Sequence, residues 1–209
     1  MILIGINLMV TPQSSRTEIL KAARDAFLEH GYQGTSMGMV AQKSGLARST
    51  VYNQFVSKEA LFQATVEFVW IDFAVISITQ DPKALNDVEI GLTLLGRSVT
   101  EFWAPDTAVA FMRMVISEGP RFPGLAASFF EAGKAPALNA VAQYLQAMSA
   151  KGLRKIENPQ RAARQFLGLI NEPLLWARVI GVEDVPPQKE RFEVVDEAVQ
   201  CFLSHYRKK

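Results

Sequence analysis

The stretch KSGLARSTVYNQFVSKEALF, residues 43–62, contains the most informative pattern in this sequence. Val51 and Phe55 are four residues apart, so both would lie on the inner side of a helix that runs from about Arg48 to Phe55. Gly45 precedes this helix, and glycine readily adopts the left-handed conformation that ends a helix. The stretch therefore predicts two short helices joined by a tight turn.

The outer face of the second predicted helix is polar. Arg48, Ser49 and Asn53 would point away from the apolar side of the helix. A helix that reads DNA carries short or forked polar side chains on this face, because these reach the edges of the bases. Arg48 could contact a guanine, and Asn53 could read an adenine or hold a phosphate. Taken singly, each of these residues is more often a solvated polar side chain.

Four further residues could hold this helix on the phosphate backbone. Thr35 or Ser36 can cap the helix before the turn, and Ser57 can cap the helix that Lys58 begins. Thr35, Ser36 and Lys58 thus lie at helix N-termini, where free amide groups and the helix dipole favour an anion. Tyr52 can donate its hydroxyl proton to a phosphate oxygen. We expect these four residues to clamp phosphates rather than to read bases.

Outside this stretch the sequence predicts helices throughout. Apolar residues recur three and four positions apart, without sustained alternation and without an Asn-Gly or Asp-Gly hairpin signal. Ser15 followed by Glu18 is typical of a capping box, which predicts a first helix over about residues 16–29, ended by Gly31. The expected fold class is therefore all-α.

Composition limits the function classes. The chain has 209 residues, 49% of them hydrophobic, and a net charge of +1, so bulk charge favours neither a coat of nucleic acid nor a membrane surface. Residues 1–62 are mildly basic, with six Lys or Arg against four acidic side chains. The apolar opening has no basic residue before it, and the stretch FVWIDFAVISI is shorter than the roughly 20 residues of a membrane span. We expect a soluble, cytoplasmic protein with no membrane partner.

Residues 16–64 resemble the N-terminal DNA-binding region of the TetR/AcrR family of bacterial transcriptional repressors. The shared features are spread over nearly the whole of this segment: Ile19-Leu20, Ala22-Ala23, Phe27, Gly31-Tyr32, Thr35-Ser36, Val40-Ala41, Gly45, Tyr52, Phe55 and the run SKEALF at 57–62. Carried over by position, the family's DNA contacts fall on Thr35, Ser36, Arg48, Ser49, Thr50, Tyr52, Asn53 and Lys58. Gly38 departs from the pattern, since glycine inside a helix costs about 1 kcal/mol.

The C-terminal part carries a second resemblance. The stretches EGPRFPGLAASFFEAGKAPALNAVAQYL and NPQRAARQFLGLI are similar to the C-terminal region of the AefR-like branch of the same family. The family implies an Ω-shaped homodimer, in which each chain donates one helix-turn-helix to a palindromic operator. It also implies an effector within a C-terminal helical domain. We therefore expect a disordered leader at 1–14, a helix-turn-helix domain at 15–62 and an effector-binding and dimerisation domain at 63–209.

Aromatic and thioether side chains of the C-terminal part could line a cavity for a small apolar or aromatic effector. The candidates are Trp70, Phe73, Trp103, Phe111, Met112, Met114, Phe130 and Trp176. For each of them alone, a core position is the more frequent role. The last two long helices, at about 159–180 and 189–206, are expected to pair with those of a second chain. The reason is an apolar stripe of Phe192, Val195, Val199 and Phe202 that a monomer would leave partly unmatched.

These patterns predict a ligand-responsive DNA-binding transcriptional regulator, expected to be a repressor, with double-stranded operator DNA, a small effector and a second copy as partners. Two other classes stay open, a constitutive DNA-binding protein without effector and a small all-α enzyme. The enzyme finds little support, because His30 and His205 are far apart and no cluster has metal-ligand spacing. No cofactor and no metal are expected. Cys201, the single cysteine, is expected to be a small core residue.

Overall fold

The computed structural model describes residues 12–71, 73–149, 151, 153 and 156–207. Within these ranges the regular structure is helical, and the one β-type pairing is an isolated bridge between Leu153 and Arg207. The all-α class is thus confirmed. The elements are α1 (Pro12–Gly34), α2 (Met37–Ser44), α3 (Arg48–Gln54), α4 (Lys58–Trp70), α5 (Val75–Ile78), α6 (Pro82–Asn86), α7 (Val88–Trp103), α8 (Asp106–Glu118), α9 (Pro123–Phe129), a π-helical turn (Phe130–Lys134), α10 (Ala135–Met148), α11 (Pro159–Ile180) and α12 (Gln188–Tyr206).

The chain divides into two compact units, with the boundary between Thr65 and Val66. The sequence patterns predict a boundary slightly earlier, after Phe62. The first unit contains α1, α2, α3 and the beginning of α4, and the second contains the remaining helices. Of the predicted leader, residues 1–11 lie outside the described residues, whereas residues 12–14 form the start of α1.

Helix α1 begins earlier than the capping pattern predicts. It starts at Pro12, so Ser15 is a helical residue and does not cap the helix. Gly31 interrupts α1 with φ 71° and ψ 170°, a backbone conformation that favours glycine. One further helical turn follows, up to Gly34. The break expected at Gly31 is confirmed, and the added turn brings the chain to the start of α2.

Aromatic packing holds the first unit together. The ring of Phe27 meets the ring of Phe62 edge-on at 5.4 Å between centroids and stacks on Tyr32 at 5.8 Å. Val51 and Phe55 are 0% and 3% exposed, so the inner side of α3 is the one that the sequence predicts. Burial of these side chains fixes which face of α3 is left for solvent.

The turn between α2 and α3 has the predicted chemistry. Gly45 adopts the left-handed conformation with φ 69°, and its N–H donates to the carbonyl oxygen of Gln42 at 3.3 Å. The next amide, that of Leu46, donates to the carbonyl oxygen of Ala41 at 3.2 Å. These bonds satisfy the last carbonyl groups of α2, as expected of a glycine-terminated helix. The two short helices are therefore joined by a tight turn.

The core of the second unit lies between α7, α10, α11 and α12. Val195, Val199 and Phe202 of α12 are 0%, 1% and 3% exposed and belong to this core. The stripe that the sequence analysis assigns to a dimer contact is thus already buried within one chain, with Phe192 partly buried at its edge. Among the described residues, no helix combines the length and apolarity that a bilayer crossing requires.

Two arginines fasten helix ends within the second unit. The buried Arg178 side chain donates to the carbonyl oxygens of Trp103 at 2.5 Å and Ala104 at 3.1 Å, where α7 ends. Arg113 of α8 donates to the carbonyl oxygens of Val179 at 2.8 Å and of Arg178, near the end of α11. Because each arginine satisfies carbonyl groups that a helix end leaves free, α7, α8 and α11 are joined at this corner.

A surface groove runs along the outer side of α11 and α12. Its lining includes Gly168, Leu169, Pro173, Cys201 and His205. The expectation that Cys201 is a core residue is wrong, because its side chain is exposed here. The three-and-four spacing of α12 places Val199 and Phe202 inward, and Cys201 falls between them on the other side of the helix.

Candidate nucleic-acid interface and ligand cavity

The exposed face of α3 carries the polar residues that the sequence singles out. Arg48, Ser49, Tyr52 and Asn53 are exposed, and within the described chain their side chains have no hydrogen bond, ion pair or ring contact. Thr50 is half-buried on the flank of the same helix. The structure therefore brings four adjacent polar side chains to one surface with their hydrogen-bonding groups available.

Arg48 is distinctive among the cations of the first unit. Three of the six Lys and Arg side chains at residues 12–65 pair with carboxylates: Lys21 with Glu18, Arg24 with Asp25 and Lys43 with Glu29. Lys58 binds backbone oxygens, and Arg16 lies over the ring of Phe55 at 4.7 Å. Arg48 is thus the one cation of these described residues without a partner.

The Arg48 side chain passes close to Gly38 of α2. A Cβ atom built at Gly38 would lie 3.2 Å from Arg48 Nη2 and 3.4 Å from Cζ, so the guanidinium passes close to the bare backbone of α2. The sequence marks Gly38 as a departure from the family pattern without giving it a role. A Cβ atom at this position would require the exposed Arg48 side chain to shift by a few tenths of an ångström.

Thr35 and Ser36 differ in availability. The Thr35 side chain is buried, and its hydroxyl lies 2.9 Å from the carbonyl oxygen of Ala26 and 2.8 Å from that of Gly31. The Thr35 hydroxyl proton is thus bound at the end of α1, and a phosphate contact by Thr35 stays a prediction. Ser36 is exposed and caps α2, with its Oγ accepting from the amide of Met39 at 3.2 Å. Its own hydroxyl proton stays available for a phosphate.

Lys58 also has a structural role that the sequence does not reveal. Its Nζ donates to the carbonyl oxygens of Tyr32 at 2.8 Å, Gln33 at 3.2 Å and Thr35 at 3.0 Å. An ammonium group has three protons, so all of them are used at the end of α1. Lys58 therefore caps α1 in this structure, and its contact with a phosphate stays a prediction. The two elements lie 23 to 26 residues apart, beyond the reach of a local pattern.

Tyr32 adds an electrostatic contact at the same place. Its hydroxyl donates to Glu59 Oε1 at 3.2 Å, and Lys58 Nζ lies 4.6 Å from the centre of its ring. Burial, and then the negative charge of Glu59, raise the pKa of Tyr32 to about 12. The start of α4 is thus tied to the end of α1 by a cap, a cation–π contact and a hydrogen bond.

A cavity of about 190 Å³ lies within the second unit. It is lined by five of the eight residues predicted for it, namely Trp70, Phe73, Trp103, Met112 and Trp176, and further by Val99, Phe129, Lys134, Ala137, Leu167, Asn171 and Leu175. The other three predicted residues lie elsewhere, since Phe111 and Met114 are buried outside the lining and Phe130 is 43% exposed. Phe129 takes the place of Phe130, because it lies four residues after the buried Leu125 and therefore on the same face of α9.

Trp70 is the centre of the aromatic wall. Its indole stacks on Phe102 at 4.6 Å between ring centroids and meets Phe73, Trp103 and Phe129 edge-on at 5.4, 6.0 and 5.7 Å. Trp70 Nε1 is buried and has no hydrogen-bond partner within the described chain. It lies against the π-helical turn, where a Cβ atom at Gly133 would come within 2.2 Å of it. Only glycine fits beside this ring without moving it.

Two polar residues complete the cavity lining. Lys134, the last residue of the π-helical turn, and Asn171 of α11 both face it. Within the described chain neither side chain has a hydrogen bond or an ion pair, and no carboxylate lines the cavity. The lining is therefore apolar and aromatic, with one cation and one amide.

Comparison with known families identifies the family to which this architecture belongs. The sequence model of bacterial regulatory proteins of the tetR family matches residues 19–65. A second model, that of the AefR-like transcriptional repressor C-terminal domain, matches residues 91–208, more than half of the chain. The chain belongs to the TetR family. Its C-terminal region is of the AefR-like type, as the sequence resemblance indicates.

Individual proteins of the TetR family are similar to this chain over different lengths. UidR, an HTH-type transcriptional regulator of Escherichia coli strain K12, is 40% identical over 60 residues, which are 29% of this chain and 31% of UidR. The solved structure of a TetR-family regulator from Mesorhizobium loti has a TM-score of 0.82 and 27% identity, over 94% of this chain and 98% of that one. The flavonoid-responsive regulator FrrA has a TM-score of 0.74 and 28% identity, over 94% and 99%.

Proposed function

We propose that this TetR-family protein is a transcriptional repressor that binds a palindromic DNA operator as a homodimer and is released by a small effector. The observation that carries the proposal is the face of α3, where Arg48, Ser49, Tyr52 and Asn53 are exposed and unpaired within the described chain. Side chains held by structural bonds would first have to break them, whereas these four can bind DNA at once. The identity with UidR over the N-terminal segment supports the proposal.

The proposed contacts divide by chemistry. Arg48 and Asn53 read base edges, and Ser36 and Tyr52 bind phosphate oxygens. Ser49 and Thr50 add hydroxyl groups beside the readers. The net charge of the chain is only +1, so long-range attraction is weak and recognition depends on this local set.

Selection of bound DNA from a random pool tests the proposal. We expect enrichment of an inverted repeat whose half-sites are one helical turn apart, about 34 to 36 Å, or a multiple of this. A pool that shows no enriched sequence would contradict the proposal. Enrichment of a single half-site would support DNA recognition but contradict binding as a homodimer.

The proposed dimer contact is the groove of α11 and α12. This surface is largely apolar, with Gln165, Glu172 and His205 among its lining residues. The helices that carry it match the pair predicted for dimerisation, although the stripe of Val195, Val199 and Phe202 is buried. Leu169→Arg would place a charge in the groove and should give monomers in sedimentation experiments at micromolar concentration. Ile116→Arg, a change at another exposed apolar residue, should leave the dimer intact.

The effector is proposed to bind in the aromatic cavity. FrrA, described as flavonoid-responsive, is similar over nearly its whole length and supports an aromatic ligand. Helix α4 provides the link to DNA, because it begins at Lys58 in the first unit and ends at Trp70 in the cavity wall. A ligand that favours a different position of α4 would change the separation of the two recognition helices, and DNA binding would be lost.

A further inference from the structure

We propose that the cavity of the second unit selects aromatic carboxylates of one or two rings and rejects amines of the same shape. The inference rests on the proposed effector function and gives the effector a chemical class. It follows from three properties of the lining, which are its charge, its free polar groups and its size.

The only charge among the described residues of the cavity lining is positive. Lys134 is the one charged residue among the twelve that line the cavity, and the other eleven are apolar apart from Asn171. A ligand amine would bring a second positive charge next to Lys134 with no carboxylate to balance it. A ligand carboxylate would form a charge-assisted hydrogen bond with the ammonium group, which is stronger than a neutral one.

The free polar groups point to the same ligand. Lys134 has no ion pair and Asn171 no side-chain hydrogen bond within the described chain. Lys134 offers three donors, and the Asn171 amide offers two more. A carboxylate accepts from both residue types, so one end of the ligand can satisfy groups that the protein leaves open.

Size and shape limit the remainder of the ligand. The cavity measures about 190 Å³, somewhat larger than the cavity of about 150 Å³ that is known to accept benzene in another protein. One or two fused rings therefore fit, and larger polycyclic systems require the cavity to expand. Three indoles contribute to the wall, those of Trp70, Trp103 and Trp176, and flat aromatic faces favour a planar ligand.

The proposal is tested with three ligands that share one ring system: 2-naphthoate, 2-naphthamide and 2-naphthylmethylamine. All three tryptophans of the chain line the cavity, so quenching of intrinsic fluorescence reports binding, and calorimetry gives the affinity. Because Lys134 is exposed, we expect naphthoate to bind about tenfold more tightly than naphthamide, which corresponds to about 1.4 kcal/mol. The amine should bind more weakly than the amide.

Variants of Lys134 identify the source of the preference. Lys134→Met should remove the tenfold difference by weakening naphthoate alone, and Lys134→Arg should keep it. The difference should also shrink at high salt. Equal affinities for the three ligands, tighter binding of the amine, or no binding of any of them would overturn the proposal. These titrations contain no DNA, so their results do not depend on DNA recognition. Absence of the ligand preference would contradict only the effector class, and absence of an enriched DNA sequence would contradict only the proposed DNA recognition.

Discussion

Arg48 and Tyr52 are neighbours on one exposed face, but the chemistry of their side chains predicts different consequences of their loss. Arg48→Ala should cost about 1 to 3 kcal/mol of DNA binding and relax the preference at one position of each half-site, because a bidentate guanine contact disappears. Tyr52→Phe removes a single hydroxyl and should weaken all operator variants about equally. Binding assays with a set of operator variants separate the two effects. An unchanged ranking of operators with Arg48→Ala would show that Arg48 does not read a base.

Lys58 gives a prediction about stability. Lys58→Met removes three hydrogen bonds to the carbonyl oxygens of Tyr32, Gln33 and Thr35, and we expect the free energy of unfolding to fall by about 2 kcal/mol. Lys43→Met is the matched control, since it removes an exposed ion pair with Glu29, and such pairs contribute little.

Urea denaturation followed by circular dichroism measures both Lys58→Met and Lys43→Met. Equal destabilisation by the two variants would mean that the cap at the end of α1 adds nothing beyond a surface charge. A Lys58→Met protein with full stability but weaker DNA binding would instead support Lys58 as a phosphate contact.

The π-helical turn positions the Trp70 ring in the cavity wall through Gly133. Gly133→Ala would place a methyl group within 2.2 to 2.6 Å of three indole atoms of Trp70, so the ring must move. We expect at least tenfold weaker binding of an aromatic ligand and a shifted tryptophan emission maximum. Gly124→Ala in α9 is the control, because a Cβ atom there meets nothing within 4 Å. Unchanged ligand affinity in Gly133→Ala would show that the Trp70 indole does not shape the binding site.

The elements also show what a sequence can and cannot predict. The sequence predicts α11 at its observed limits and the glycine turn before α3, because a capping Asn-Pro pair and a helix-ending glycine are local signals. Contacts between distant segments leave no such signal. For this reason Lys58 and Thr35 were expected at phosphates, although backbone oxygens of α1 hold them.

Helix periodicity likewise has limits. It identifies the inward side of α12 but cannot show whether the chain itself or a second copy covers it, and Val195 turns out to be covered internally. It also cannot anticipate the π-helical turn that follows Phe129 and places Gly133 against Trp70. Five cavity residues were nevertheless predictable, because pockets for small ligands are lined mostly by aromatic and other apolar side chains.

For the whole molecule, the proposed mechanism makes a thermodynamic prediction. If an effector weakens DNA binding a hundredfold, the coupling free energy is about 2.7 kcal/mol, and operator DNA must weaken effector binding by the same factor. Calorimetric titration of one effector with and without operator DNA measures this. Equal affinities in the two titrations would rule out the mechanism for that compound, since a ligand that binds both states equally shifts neither.

The arginine corner of the second unit has a mechanical consequence for the cavity. Arg178 donates to the carbonyl group of Trp103, so the part of the wall that Trp103 forms is anchored to α11 by a hydrogen bond. The neighbouring Trp70 indole touches Trp103 edge-on at 6.0 Å between ring centroids, and its buried Nε1 proton bonds to nothing in the described chain. The Trp70 indole is therefore held by packing alone. An entering molecule would push against both rings, and the displacement would go to the Trp70 side, toward the end of α4.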